Sequence, residues 1–338
     1  MKPHKQGKTR EMQFVGIDVS KKKFDTLWLR QTQPQKVKTR VFQNKRDQEK
    51  AVVQWLLKQT GANPSEIHVV LEATCVYHEN LTYALHEAGM QVYVANPART
   101  RDFAKSEGFL SKTDKLDSLC LALYAKEKHE RLHQWQPEAP EIRQLRALSA
   151  RLEALEKDQQ REENRLEKAE FNQSSDRVIA SIKDMIAALK EEIRKLKQDI
   201  DDHIDGHPLL KKDRALLDSI KGVGDVMSRE LLSLIHSRRF QSAKQCAAFV
   251  GLTPMHNESG DSRKPARIRK AGRSNVRGKL YMAAVTACTY NPDIRALRRR
   301  MEAKGKSGMA IVVAAMRKMV QIAYGVIKHQ QEYTPQVA

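Results

Sequence analysis

The chain has 338 residues, with 61 Lys+Arg against 41 Asp+Glu, a formal net charge of +20 and 40% hydrophobic residues. That length calls for two or three domains, and that apolar content excludes wholesale disorder. A basic surplus of this size points to a polyanionic partner, most often nucleic acid, without saying whether the partner is bound, cut or coated.

The charge is uneven. Residues 1–140 carry a net +7, residues 141–205 a net −3 and residues 206–338 a net +16. Cys75, Cys120, Cys246 and Cys288 stand far apart without a CxxC pair. This argues against a zinc site or a disulfide framework and fits a reducing bacterial cytoplasm. The stretch Met1–Phe14 lacks the apolar core of a secretory signal. The longest apolar run, Met309–Met316, is too short to span a bilayer, so no membrane partner is expected.

In chain order, Phe14–Val19 and Phe24–Leu29 are short apolar runs, and Val37–Phe42 alternates apolar with polar residues as a half-buried strand does. A helix is expected over Arg46–Lys58, a buried strand at Ile67–Leu71, and a helix through Leu81 and Leu85 that stops at Gly89. A further strand, Gln91–Ala95, is closed by Asn96-Pro97. This order predicts an α/β domain with a mixed sheet covered by helices. In the middle, Ile182, Ile186, Leu189, Ile193, Leu196 and Ile200 step by fours and threes, and Ile142, Leu145, Leu148, Leu152 and Leu155 form an earlier stripe. Two long helices broken near Phe171–Asp176 follow from this, as an antiparallel hairpin or an oligomerising arm or, equally well, as a plain bundle pair. The last third reads as all-α: a helix, the turn Lys221-Gly222-Val223-Gly224, a second helix over Asp225–Ile235, helices over Ala243–Val250 and Ser274–Thr289, and a long amphipathic helix over Ser307–Lys328. Thr253–Gly272, rich in Gly, Ser, Pro and Arg, reads as a loop.

Four acids carry the candidate chemistry. Asp18 and Glu72 each end an expected strand, and Asp114 and Asp117 open a helix with a spacing that puts both on one face. Singly, each has an ordinary role as a strand-end acid or as a partner of the helix dipole. Together they suit two Mg²⁺ ions, which prefer oxygen ligands and assist phosphodiester cleavage. The Gly222-Val223-Gly224 turn between two helices suits a helix-hairpin-helix that grips the DNA backbone, with Lys221 as a further phosphate contact. Arg263, Lys264, Arg267, Arg269, Lys270, Arg273 and Arg277 form a basic run with no acid from 262 to 292, which favours nucleic-acid contact over a solvated face. Ser259 precedes it, either as a turn residue or as a nucleophile.

With these residues assembled, the chain resembles the DEDD-type transposases of the insertion sequence one-ten family, relatives of the Piv-like DNA invertases. The resemblance runs from about Phe14 to Lys328 and rests on Phe14-Val-Gly-Ile-Asp-Val-Ser-Lys21, Leu71-Glu-Ala-Thr74, Asn96-Pro97, Lys112-Thr-Asp-Lys-Leu-Asp117, Gly222-Val-Gly224, Phe249-Val-Gly-Leu-Thr-Pro254, Ser259-Gly260 and Lys270-Ala-Gly272. It implies a RuvC-like (ribonuclease H-like) catalytic domain over 11–135, a coiled-coil arm over 140–205 and a helical transposase domain with a helix-hairpin-helix over 206–330. It also implies Asp18, Glu72, Asp114 and Asp117 as Mg²⁺ ligands and Ser259 as a nucleophile forming a phosphoserine–DNA intermediate; the seam of the two long helices adds the expectation of a homo-oligomer, dimer or tetramer. The implied partners are element ends and target DNA together with a guide (bridge) RNA encoded by the element. Two other readings stay open. One is a RuvC-like nuclease using water with the same four acids; the other is a non-catalytic binder using only the turn and the basic run.

Overall fold

The computed structural model describes residues 11–336 except 31, 74, 110–112, 260, 261, 269–271 and 273; within 256–267 it describes the backbone alone. The chain forms two compact units, residues 1–137 and 138–338.

The first unit is built on three antiparallel strands, β1 (Gln13–Val19), β2 (Lys23–Arg30) and β3 (Lys36–Gln43). They are followed by α1 (Gln48–Thr60), β4 (Ile67–Glu72), α2 (Glu79–Glu87), β5 (Gln91–Ala95), α3 (Pro97–Ser106) and α4 (Asp114–Lys128). The sheet order is β3-β2-β1-β4-β5, with β4 parallel to β1 and β5 parallel to β4. This mixed sheet agrees with the α/β architecture that the order of elements predicts. Alternation along each strand divides the apolar residues between two faces. Val15, Ile17 and Val19 join Phe24 and Trp28 under Trp55, Leu56, Leu81 and Leu85 of α1 and α2. Phe14, Leu27, Leu29, Val70 and Tyr93 pack on the other face against Phe103, Leu121 and Tyr124 of α3 and α4. The expected strands and the first two helices all form. Helix α3 was not expected from the sequence. Its signal was present in Asn96-Pro97, where Asn96 Oδ1 accepts from the Ala98 amide at 2.8 Å and Pro97 stands in the first turn.

The second unit is helical: α5 (Pro140–Phe171), α6 (Asp176–Asp205), α7 (Pro208–Asp218), α8 (Asp225–His236) and α9 (Ala243–Phe249), then α10 (Ser274–Tyr290), α11 (Pro292–Ala303) and α12 (Gly308–His329). Helices α5 and α6 run antiparallel. Glu141 lies beside His203 at the root, and Lys183 lies 3.1 Å from Glu170 near the tip. Ile186, Ile193, Leu196 and Ile200 are buried and Ile182 and Leu189 half-buried, so the seam read from the sequence faces the partner helix. The root half of the pair, through Leu155 and Ile193, shares one core with α7–α12.

Thr253–Gly272 is not all loop: β6 (Pro254–Ser259) and β7 (Ser262–Ile268) pair antiparallel, with Ser259 opposite Ser262. The sequence of the segment has no apolar stripe, so hydropathy carried no sign of these strands. Helix α12 is long and apolar enough, by length and composition, to cross a membrane. It nevertheless places Ile311, Ala315, Met319 and Val320 in the core of the second unit.

Candidate active site

Asp18 and Glu72 leave the sheet side by side. The pairing of β1 with β4 brings Ile17 opposite Leu71, so the next residue on each strand is a carboxylate. Strand alternation turns both away from the Ile17 face and toward α4. The side chain of Thr113 caps α4 by accepting from the Leu116 amide at 3.3 Å, which starts the helix at Asp114. The result is one cavity of about 550 Å³ lined by Asp18, Glu72, Asp114 and Asp117, with Thr100, Arg101 and Lys105 of α3 on its wall.

Close approach makes this convergence possible. Gly16 lies two residues before Asp18, and a Cβ there would stand 2.1 Å from the Ser118 carbonyl oxygen. The glycine lets the backbone of α4 rest on β1, one turn from its two acids.

The cluster is electrostatically crowded. Burial first, then Asp117, Asp114, Asp25 and Glu72, push the Asp18 carboxyl up from 3.8 to about 6. The buried hydroxyl of Thr100 donates to Glu72 Oε1. Cys120, also on the cavity wall, is pushed up to about 11 by burial and by nearby carboxylates, which keeps its thiol protonated.

Three further participants escaped the sequence reading: Asp25, Lys23 and Thr100. Asp25 stands directly across from Asp18 in the β1–β2 register. Lys23 Nζ lies 2.6 Å from Asp114 Oδ2 and 3.0 Å from Asp25 Oδ2. These hydrogen bonds hold Lys23 well above the ordinary lysine range. The Lys-Lys-Lys-Phe-Asp run was the only trace of this, and hairpin register rather than composition gives it meaning.

The residues present fit a hard divalent cation in donor chemistry: every candidate ligand is a carboxylate, and burial, then mutual repulsion, raises Asp18. Among the described residues, no group of three His, Cys, Asp or Glu side chains converges tightly enough to hold an ion as they stand. Two of the four carboxylates are engaged by other side chains, Asp114 by Lys23 and Glu72 by Thr100.

In the second unit, Lys221-Gly222-Val223-Gly224 joins α7 to α8. Gly222 has φ +98°, and a Cβ there would meet Ala287 Cβ at 2.8 Å, so this glycine is required by packing against α10 as well as by the turn. Gly224 faces open space at the start of α8, and Lys221 is exposed, its carbonyl accepting from Asn291 Nδ2 at 3.0 Å. Arg277 is committed to the fold, donating to the carbonyls of Val250 at 2.9 Å and Gly272 at 3.4 Å. Ser259 ends β6, and Arg263, Lys264 and Arg267 lie on β7; their side chains are outside the description, as are Arg269, Lys270 and Arg273 entirely.

Comparison with known proteins gives the class. A family model for transposases, of the DEDD type of the IS110 family, matches residues 15–169, and one described as Transposase IS116/IS110/IS902 family matches residues 214–299. The chain belongs to this family of DNA transposases and recombinases, and its substrate is DNA. It is 31% identical over 327 residues to the pilin gene-inverting protein of Moraxella bovis, covering 96% of this chain and 98% of that protein. The same figures hold for the pilin gene-inverting protein of Moraxella lacunata. Among solved structures, Thermus thermophilus RuvC is 14% identical, with a TM-score of 0.28, covering 37% of this chain and 100% of that one.

Proposed function

We propose that this transposase exchanges DNA strands through a covalent serine intermediate, with Asp18, Glu72, Asp114 and Asp117 holding divalent cations, two Mg²⁺ ions by their chemistry. The observation that carries the proposal is the convergence of these four carboxylates on one cavity, with Asp18 raised to about 6 by burial and by its neighbours. Bound there, the cations would supply charge stabilisation for an attacking and a leaving oxygen.

The chain's own residues do the rest. Ser259 Oγ forms a bond to the scissile phosphorus as the bond to one deoxyribose oxygen breaks. The proton given up by the serine hydroxyl balances the proton taken by the departing oxygen. The ester retains the bond free energy, so a hydroxyl of a second DNA end completes the exchange in reverse without a nucleotide cofactor. The basic run from Arg263 to Arg273 and the turn Lys221–Gly224 hold phosphates, supported by the net +16 of residues 206–338. A guide RNA, expected from the family resemblance, and a homo-oligomer, expected from the helical seam, complete the proposal, as does a cytoplasmic site of action.

The test is Ser259→Ala. Strand exchange and a covalent protein–DNA adduct should both disappear while DNA binding survives. Full exchange by this variant sinks the serine assignment. Water-dependent cleavage that leaves free 5′-phosphate ends points instead to a nuclease using the four acids alone. Sequencing the nucleic acid that copurifies with the chain tests for the guide RNA.

A further inference from the structure

Lys23 opens β2 and reaches from the sheet to the first residue of α4, ninety-one positions along the chain. Its ammonium contacts Asp114 Oδ2 at 2.6 Å and Asp25 Oδ2 at 3.0 Å. The two partners differ. The side chain of Asp25 is 13% exposed and stands across from Asp18 in the strand register, so it is fixed by the sheet. The side chain of Asp114 is 57% exposed at a helix start and is free to turn. A lysine stem has rotatable bonds enough to release one partner and keep the other.

Asp117, Asp114, Asp25 and Glu72 crowd Asp18, and of these five carboxylates only Asp25 and Asp114 meet the ammonium. A single monovalent charge leaves most of that repulsion in place, and it occupies Asp114, an oxygen donor that a hard divalent cation would need.

We propose that Lys23 is a displaceable internal counter-ion: it holds Asp114 when the carboxylate cluster carries no divalent cation, and yields Asp114 to an entering cation while remaining paired with Asp25. This rests on the reading of the four acids as a cation site. Lys23 is thus a positioning residue that sets cation affinity and keeps the helix-start carboxylate near the cluster.

The experiment is calorimetric titration of the full chain with Mn²⁺ and with Mg²⁺, using the wild type and the variants Lys23→Met, Lys23→Arg and Asp114→Asn. Loss of one exposed ion pair that competes with the cation should tighten binding by about two- to fivefold in Lys23→Met. Lys23→Arg keeps the charge and should bind as the wild type does. A second readout is thermal unfolding: without divalent cations Lys23→Met should melt lower than the wild type, and added Mg²⁺ should raise its melting temperature by more. Unchanged or weaker binding by Lys23→Met, with Asp114→Asn still abolishing binding, overturns the role of Lys23 alone. Absence of cation binding to the wild type itself overturns the underlying cation-site reading, and the counter-ion with it.

Discussion

Gly16 and Ser118 meet backbone to backbone: a Cβ on Gly16 would lie 2.1 Å from the Ser118 carbonyl oxygen and 2.4 Å from the Ala122 amide nitrogen. Both clashing atoms belong to a helix backbone, so no side chain can swing aside. Gly16→Ala must push α4 off the sheet. Overpacking of this kind costs about 3 kcal/mol or more. Urea unfolding should show that loss, and displacement of Asp114 and Asp117 should weaken Mn²⁺ binding in whatever protein remains folded. A variant with wild-type stability and affinity would refute the close-approach argument.

Asp18 gives a prediction with a definite sign. Its carboxyl is raised to about 6 by burial and then by Asp117, Asp114, Asp25 and Glu72, against an ordinary value of 3.8. Between those values the folded chain keeps a proton that the unfolded chain releases. Stability without divalent cations therefore falls as pH rises from about 4 to about 6, and stays reduced above. Asp18→Asn removes that loss and should stabilise the cation-free protein at pH 7 by about 1–2 kcal/mol, allowing for solvent screening of a half-buried group. The gain should vanish below about pH 4, and strand exchange should be lost throughout. Lower stability of Asp18→Asn at pH 7 would contradict the reading.

The two glycines of the α7–α8 turn should separate packing from phosphate contact. Gly222→Ala meets Ala287 and a φ of +98°, and should cost about 1–3 kcal/mol. Gly224→Ala enters open space at φ −106° and should change stability by less than about 0.5 kcal/mol. Chemical denaturation measures both. If the turn holds phosphate, Gly224→Ala still lowers DNA affinity at unchanged stability; equal affinity would remove the turn from the interface.

The segment after α12 is tied down by one tyrosine. The Tyr333 hydroxyl donates to Asp293 Oδ2 at 2.7 Å and lies 2.9 Å from Asn291 Oδ1, and Asp293 is only 5% exposed. Tyr333→Phe leaves that carboxylate short of a donor, at a cost of about 1–3 kcal/mol. Hydrogen exchange should show residues 331–336 opening first. Unaltered protection there would show that the Gln336 amide, 3.2 Å from Asp293 Oδ1, suffices.

Much of this was legible in the sequence, for physical reasons that can be named. Val15, Ile17, Val69 and Leu71 form continuous apolar runs because both faces of their strands are covered. Asp18 and Glu72 stood out because each ends an expected strand. Asp114 and Asp117 were legible because helix periodicity fixes which residues share a face. Lys23 and Asp25 were not, since only the antiparallel register of β1 and β2 places Asp25 beside Asp18, and only tertiary packing brings Lys23 to Asp114. Gly16 read as one more small residue, because a close approach between distant backbones leaves no periodic mark. The β6–β7 hairpin lacked the apolar alternation that announces a strand.

The paired helices α5 and α6 carry one more consequence. Their root half is welded into the body of the second unit, where Lys279 of α10 lies 3.4 Å from Glu156 and 2.6 Å from Glu230. Their outer half, past Leu155 and Ile193, buries little beyond Ala169 and Ile186 and ends with Phe171 87% exposed. A helix of 32 residues is about 48 Å long, so a small tilt at the root becomes a large sweep at the tip. Matched removal of whole turns from the outer ends of both helices would shorten the reach of this lever and leave its fulcrum intact. Span and foldedness are thus separate quantities here, and the outer length is open to change without unfolding the body that carries it.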